Sequence, residues 1–403
     1  MLSTIIYRSH LSDDVAIKSL EALAVKANKV NESFGVTGIL LFNGTHFFQV
    51  LEGPDAAINK IYDRICEDPR HHNLVELLRD YAPFRRFGNV GMELFDLREH
   101  DKATVLQAVL DKGTSKYQLT YEDRALQFLR TFVESREKEN YFEIPPASAW
   151  EFIVDDQPAI EREIPLSIAE NYSFAFQPII DPLSQRIVSL EALMRNATGG
   201  SPREFFAQHS QEAFYRLDLE SKKLAFALAN RLDVQGLTLS INLLPMSLVM
   251  VPNAVDFLLN EIAANGLVPE QIVVEVTENE VISRAEEFDS AIKQLKAAGI
   301  SLAIDDFGAG SAGLLLLARI QPDKIKIDRD IICDVHKSGP KQAIVQAILK
   351  CCSALEISVI ASGVEKPEEW MWLEAAGVCY FQGSLFAPPK LTGISAVAWP
   401  ELK

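Results

Sequence analysis

The sequence predicts an α/β chain in three parts: a ferredoxin-like α+β domain over residues 1–96, a helical connector over 97–163 and a TIM-type β/α barrel over 164–403. Two observations carry this. The first segment orders its patterns as β-α-β-β-α-β-β, which folds as one sheet with two helices on a face. From about residue 164 onward, apolar strand-like runs alternate with helical ones and end in an oxygen-bearing side chain, as at the C-terminal rim of a β/α barrel.

With 403 residues, 48% of them apolar, the chain has room for two or three packed domains. Its formal charge of -17 excludes a binder of long nucleic acid, which needs a basic surface to neutralise phosphates. A small phosphate-bearing ligand would require cations to overcome that field. The five cysteines are odd in number and show no CxxC spacing, as expected of packing residues in a reducing compartment. No basic region precedes a long apolar stretch, and runs such as Leu314 to Leu317 are too short for a bilayer, so a cytoplasmic protein without membrane insertion is expected.

In the first segment, strand patterns occupy Thr4 to Arg8, Thr37 to Phe42, His46 to Leu51, Val75 to Tyr81 and Val90 to Phe95, with helices at Val15 to Glu32 and Ala56 to Cys66. Asn43-Gly44 is a hairpin signal. Three polar residues stand where apolar ones belong. Asn31 continues the inward stripe Leu20, Leu23, Ala24 and Ala27, Gln49 interrupts Phe47-Phe48-Gln49-Val50-Leu51, and Tyr7 lies in the first strand. Buried amides and hydroxyls must find partners, either one another in a core network or a polar ligand.

Ile6-Tyr7-Arg8-Ser9, Asn31 with Gly35-Val36-Thr37-Gly38-Ile39-Leu40, Phe48-Gln49-Val50-Leu51-Glu52-Gly53 and Asp68-Pro69-Arg70-His71 together resemble the BLUF family of flavin-binding blue-light sensors. The resemblance implies FAD, or FMN, as cofactor. It makes Tyr7 the electron donor, Gln49 the switch at the flavin N5 and O4 edge, Asn31 the ring anchor and Met92 the relay, with Arg64, Arg70 and His71 as candidates for the phosphate end. Val90 stands where many relatives carry Trp. A glutamine amide suits a switch because reversing it exchanges donor for acceptor without moving backbone.

In the connector, Lys102 to Leu110 and Tyr121 to Glu137 have helical patterns, and Glu143-Ile144-Pro145-Pro146 cannot continue a helix. Leu126, Leu129, Phe132 and Val133 form an apolar stripe that needs a surface, expected to be the sensor sheet. These helices are expected to couple the two domains.

In the barrel region, the strand Ser301-Leu302-Ala303-Ile304 ends in Asp305-Asp306, two like charges tolerable beside water or divalent cations. Other strand runs end in Glu191, Asn242 and Glu275, and the pattern also places Lys326, Glu365 and Gln382 at the rim. Helices are predicted at Phe214 to Asn230, Ala254 to Asn265, Ala285 to Ala298, Gln342 to Leu355 and Pro367 to Ala376, with Gly266, Gly299 and Gly377 as stops. Thr277 and Glu280 form a candidate capping box, beside Glu278, a candidate site residue. Carboxylates and one amide without His or Cys suit Mg²⁺ or Mn²⁺ better than Zn²⁺.

Glu191-Ala192-Leu193-Met194-Arg195, with Asn242, Glu275-Val276-Thr277-Glu278, Asp305-Asp306-Phe307-Gly308, Lys326-Ile327-Asp328 and Gln382-Gly383, resembles the EAL domain, the phosphodiesterase that opens cyclic di-GMP to linear pGpG. The resemblance implies that Glu191, Asn242, Glu275 and Asp305 hold a first ion, that Asp305 and Asp306 hold a second with Glu365 nearby, and that the pair clamps the phosphate and activates water for in-line attack. Lys326 then orients that water, Glu191, Asp305 and Asp306 share in the chemistry, and Arg195, Gln177, Gln382 and Asp328 contact substrate, with Glu278 supporting a loop. In one place the sequence departs: Ser362 stands where the family's Ala-Glu-Gly-Val-Glu motif has its first Glu. A blue-light-regulated phosphodiesterase, pairing as a homodimer through its EAL domain, is the expectation. The alternative is a light-dependent receptor for cyclic di-GMP or a protein partner, built on a weak or inactive barrel.

Overall fold

The computed structural model describes the chain except residues 1, 13–14, 16–19, 83–84, 88–90, 112–123, 135–143, 155–171, 197–198, 202–210, 235, 279–284 and 311–312. Val90, Glu143, Glu280 and the ends of the helix expected over Tyr121 to Glu137 therefore lie outside the described residues. The chain forms two compact units, one of residues 1–146 with 334–343, the other of 147–333 with 344–403.

In the first unit the elements run β1 (Leu2–Leu11), α1 (Leu20–Ser33), β2 (Thr37–Phe42), β3 (His46–Pro54), α2 (Asp55–Cys66), β4 (His71–Ala82), β5 (Glu93–Asp96), α3 (Lys102–Asp111) and α4 (Arg124–Val133). The sheet order β4-β1-β3-β2-β5 is ferredoxin-like, with β5 added in parallel to β2. Strand alternation divides the core between its two faces. Ile5, Tyr7 and Leu51 point toward α2 with Ile58 and Ile61. Ile6, Phe48, Val50 and Leu78 point the other way, where Val105, Val109, Leu129 and Phe132 of α3 and α4 cover them. Phe48 and Phe132 stack with ring centroids 5.1 Å apart. The apolar stripe of the connector helices thus covers the sheet, as its spacing required. Residues 334–343 join this unit through a bridge from Ser338 to Glu76 and a hydrogen bond from Arg8 Nη2 to Gln342 Oε1 at 3.2 Å.

In the second unit β6 (Trp150–Val154) pairs with β16 (Ala398–Leu402), so the stretch expected as a helical connector contains a strand. The barrel strands are β7 (Tyr172–Asp181), β8 (Arg186–Asn196), β9 (Thr238–Asn242), β10 (Ile272–Thr277), β11 (Ser301–Phe307), β12 (Lys324–Ile327), β13 (Ser358–Ser362) and β14 (Tyr380–Gln382), closed by β14 on β7, with β15 (Lys390–Leu391) at the rim of β7. β8 to β14 are parallel, whereas β7 runs antiparallel to both neighbours. No helix separates β7 from β8. Their connection is a tight turn in which Asp181 Oδ1 accepts from the Ser184 N–H at 3.2 Å and Gln185 adopts φ 49°. Gly266, Gly299 and Gly377 take φ of 70°, 86° and 104° just past helices, a conformation in which a side chain would be strained, so the expected stops are where the chain turns. No helix of the described residues is long and apolar enough to cross a membrane.

Candidate functional sites

The first unit holds a cavity of about 300 Å³ lined by Tyr7, Asn31, Gln49, Arg64, Arg70, His71 and Met92 among apolar neighbours from α1, α2 and the sheet. The polar groups form one chain. Tyr7 Oη donates to Gln49 Oε1, and Gln49 Nε2 donates to Met92 Sδ at 3.2 Å. Cross-strand register makes this possible, because Tyr7 and Gln49 are direct partners between β1 and β3. Burial, with the nearby Cys66 and Asp68, pushes the Tyr7 phenol well above its ordinary range, so it keeps its proton.

Asn31 Nδ2 donates to Gly91 O at 2.8 Å, and Asn28 Oδ1 accepts from the Met92 N–H at 2.8 Å. A Cβ on Gly91 would come within 2.4 Å of Asn28 O, so glycine is what lets this segment lie against α1. Asn28 was missed from sequence, although it sits one turn before Asn31 on the same helix. At the other end Arg70 is ion-paired to Asp68, and His71 Nδ1 bonds Ser9 Oγ at 2.9 Å. Apolar walls around a buried amide fit a planar heteroaromatic ring with one polar edge, which is the chemistry of a flavin.

At the C-terminal ends of the barrel strands, carboxylate oxygens of Glu191, Glu275 and Asp305 lie within 4.8 Å of one another. Lys326 Nζ sits among them, 2.8 Å from Glu191 Oε2, 2.8 Å from Glu275 Oε2 and 3.4 Å from Asp305 Oδ2. Asn242 Nδ2 donates to Glu191 Oε1 at 2.6 Å and Gln382 Nε2 to Glu191 Oε2 at 2.7 Å. Parallel register explains the convergence: Glu275 is level with Asn242 on one side and Ala303 on the other, and each strand ends at the same rim.

Burial opposes ionisation of Glu191, but the charge and hydrogen bonds of Lys326, Gln382 and Asn242 more than offset it and hold the carboxyl below its usual range. Glu275 has fewer such partners; burial, with Glu191 and Asp305 beside it and Lys326 only partly compensating, pushes it up to about 8. Asp305 is raised for the same reasons. Burial, then Asp305 and Asp328, carry Asp306 to about 6. The attraction of the carboxylates outweighs burial for Lys326 and keeps it firmly protonated.

A divalent ion fits this group. Among the described residues three carboxyl groups face one ammonium in a nearly dry site, where burial and their mutual repulsion raise Glu275 and Asp305, and the buried Glu275 Oε1 has no hydrogen-bond partner. Position two is poorer in charge. Asp306, at φ 52°, lies outside the three-carboxylate group, Glu365 is ion-paired to Arg329 at 2.6 Å, and Ser362 Oγ bonds Gln382 Oε1 at 3.3 Å.

The remaining candidates are dispersed around the rim. Glu278 is fully buried and accepts from the Gly308 N–H at 2.7 Å, bracing the loop after Asp306. Gln177 donates to Ala387 O at 3.1 Å, Arg195 to Met194 O at 3.1 Å, and Asp328 caps the short helix Arg329–Ile332 through the Asp330 N–H at 2.7 Å.

Comparison with known proteins finds a family for each of the two regions. The EAL domain family matches residues 160–389, and the family described as sensors of blue-light using FAD, BLUF, matches residues 2–93. The chain belongs to the EAL family and carries a BLUF domain. The blue light- and temperature-regulated antirepressor BluF of Escherichia coli is 59% identical to this BLUF–EAL chain over 403 residues, covering 100% of both. The structure of Klebsiella pneumoniae BlrP1 with manganese and cyclic di-GMP at pH 6 superposes with a TM-score of 0.92 at 44% identity, covering 100% of both chains. The probable cyclic di-GMP phosphodiesterase PdeN of Escherichia coli is 28% identical over 57% of this chain and 45% of its own length.

Proposed function

We propose that this BLUF–EAL protein hydrolyses cyclic di-GMP to linear pGpG under control of a blue-light-sensing flavin. The observation that carries the enzymatic half is the rim group itself, Glu191, Glu275 and Asp305 gathered around Lys326, and a relative of 44% identity whose structure is a manganese and cyclic di-GMP complex supports the reading. Glu191, Asn242, Glu275 and Asp305 would hold the first divalent ion, Asp305 and Asp306 the second. Bound ions would neutralise the bridging phosphate and lower the pKa of attacking water.

Lys326 does two things in this scheme. Its ammonium keeps Glu191 ionised before metal arrives, and its N–H groups would orient a water or stabilise developing negative charge at the attacked phosphorus. Gln382 and Asn242 fix the rotamer of Glu191, leaving its oxygens facing the rim. Glu278 holds the loop that carries Asp306. Arg195 and Gln177 would contact substrate, and pairing of two chains through the EAL domain belongs to the same proposal.

In the sensor, a bound flavin supplies blue-light absorption and an electron acceptor. Tyr7 is the donor, and an electron leaving it can be accompanied by its proton along the hydrogen bond to Gln49 already in place. Reversal of the Gln49 amide would replace the donor facing Met92 Sδ with an acceptor, releasing Met92.

A second reading has its own support. Ser362 in place of a carboxylate, Glu365 engaged by Arg329, and a relative of 59% identity named as an antirepressor favour a light-dependent receptor that binds cyclic di-GMP or a protein partner without turnover. One experiment decides: full-length flavin-loaded protein with Mg²⁺ or Mn²⁺ and cyclic di-GMP, in darkness and under blue light, with nucleotides resolved by chromatography. Light-dependent pGpG formation supports the enzyme. Equal rates in both conditions overturn the regulation, and an intact cyclic dinucleotide in both favours the receptor.

A further inference from the structure

Three histidines stand side by side on neighbouring strands of the sensor sheet: His10 of β1 is the direct cross-strand partner of His46 on β3 and of His72 on β4. They lie on the face opposite the flavin cavity, because Tyr7, Ser9 and Leu11 line the cavity and side chains alternate along β1. His10 Nε2 and His46 Nε2 are 2.8 Å apart, and His72 stacks on the His10 ring at 5.3 Å.

Hydrogen bonding to the hairpin holds the His46 ring in place. Asn43 Oδ1 accepts from the Thr45 N–H at 3.1 Å and the His46 N–H at 2.8 Å, which identifies it as the oxygen, and the Thr45 hydroxyl also donates to it at 3.3 Å. Thr45 Oγ1 also bonds His46 Nδ1 at 2.8 Å. His46 Nε2 faces His10, and the hairpin holds that orientation as an outer partner holds a metal-ligating imidazole.

The ring geometry is that of convergent ligands. For metal–nitrogen bonds of about 2.0–2.1 Å, donors this close subtend about 86° at an ion, whereas a tetrahedral angle needs about 3.3 Å between them. With each ring centre about 1.2 Å behind its nitrogen, such chelation puts the centroids about 4.4 Å apart, against about 5.2 Å for nitrogens aimed straight at each other. The observed centroid separation is 4.1 Å, with the planes tilted by 59°.

We propose that His10 and His46 form a cross-strand binding site for a tetragonal divalent transition ion, Ni²⁺ or Cu²⁺, with water completing the coordination and the His72 ring covering one side. Neutral imidazole nitrogens and a bite near a right angle select these ions over Mg²⁺ or Mn²⁺, which the oxygen ligands of the barrel prefer. Binding moves the proton between the two rings from Nε2 to the Nδ1 of the same ring, freeing both Nε2 lone pairs for the metal, and it would clamp β1 to β3 three residues from both Tyr7 and Gln49. The proposal is independent of the barrel's activity.

The test uses untagged full-length protein stripped with chelator and kept in excess Mg²⁺ to occupy the carboxylates. Calorimetric titration with Ni²⁺ should show one site per chain, weakened at least fivefold in His10→Asn and in His46→Asn and unchanged in His100→Asn. In the unsubstituted protein, pulsed electron paramagnetic resonance of one equivalent of Cu²⁺ should show couplings to imidazole nitrogens, which vanish in the double variant. Oxygen-only couplings in the unsubstituted protein, or losses under fivefold in both single variants, would overturn the site.

Discussion

Replacing Lys326 with methionine removes the single cation from a buried group of three carboxylates. At an effective dielectric of about 20, each contact of 2.8 Å represents about 6 kcal/mol of attraction, so the mutant cannot keep all three groups ionised and buried. It will escape chiefly by protonating, at about 1.4 kcal/mol per pH unit above each group's ordinary pKa. The net loss expected at pH 8 without metal is about 3–5 kcal/mol, the usual cost of removing one partner from a buried charge cluster.

The pH dependence has a definite sign. Glu275 is raised from its ordinary 4.5 to about 8 in the folded chain, and loss of Lys326 raises it further. A carboxyl raised on folding costs nothing while it is protonated in both states, and it destabilises progressively as pH climbs through the folded value. The mutant should therefore be close to the unsubstituted protein at pH 4.5 and much weaker at pH 8. Urea unfolding followed by tryptophan fluorescence measures this, since Trp150, Trp370, Trp372 and Trp399 all lie in the barrel unit. Millimolar Mn²⁺ should recover stability by mass action, but not hydrolysis. A loss below about 0.5 kcal/mol at pH 8, or one of equal size at both pH values, would refute the account of Lys326 as the internal counter-ion.

Four further outcomes are expected. Tyr7→Phe should retain flavin, seen as a yellow preparation, yet lose the light-induced spectral shift, because the donor and its hydrogen bond to Gln49 are gone. Asn28→Ala should cost about 1 kcal/mol of local stability through the freed Met92 N–H and change the rate of dark recovery severalfold; an unchanged rate would mean that the Met92 backbone is not held from α1. Ser362→Glu should raise the hydrolytic rate at least tenfold at saturating Mn²⁺ by restoring charge at the second-ion position, and a rate unaltered by the substitution would show that Ser362 does not limit turnover. Apparent Mg²⁺ affinity should increase from pH 5.5 to 8.5, because Asp306, at about 6, and Glu275, at about 8, must lose protons to ligate; calorimetry showing a flat profile would contradict those raised values.

Much of both sites was legible in the chain because each candidate broke a local rule. Asn31 on an apolar stripe, Gln49 within Phe47-Phe48-Gln49-Val50-Leu51 and Asp305-Asp306 after an apolar strand are polar groups where burial is expected, and the structure finds all of them at a cavity or a rim. Glycine stops located the helix ends for the same local reason. Elements outside those rules were missed: the antiparallel β7, joined to β8 by a turn that has no glycine, the helices Pro245–Met250 and Gly313–Ile320, and the strands β6, β15 and β16.

The amino-acid order by itself determined the ferredoxin-like and barrel patterns and the strand ends that carry oxygen-bearing side chains, because periodicity and capping act over a few residues, and its family resemblances implied the flavin and the metals. Only the tertiary structure decided partnership. Whether Glu365 meets an ion or Arg329, whether Asn28 holds Met92, and whether His10 finds His46 depend on register between strands and on the approach of a helix to a sheet edge, and a shift of one residue would send each side chain to the opposite face.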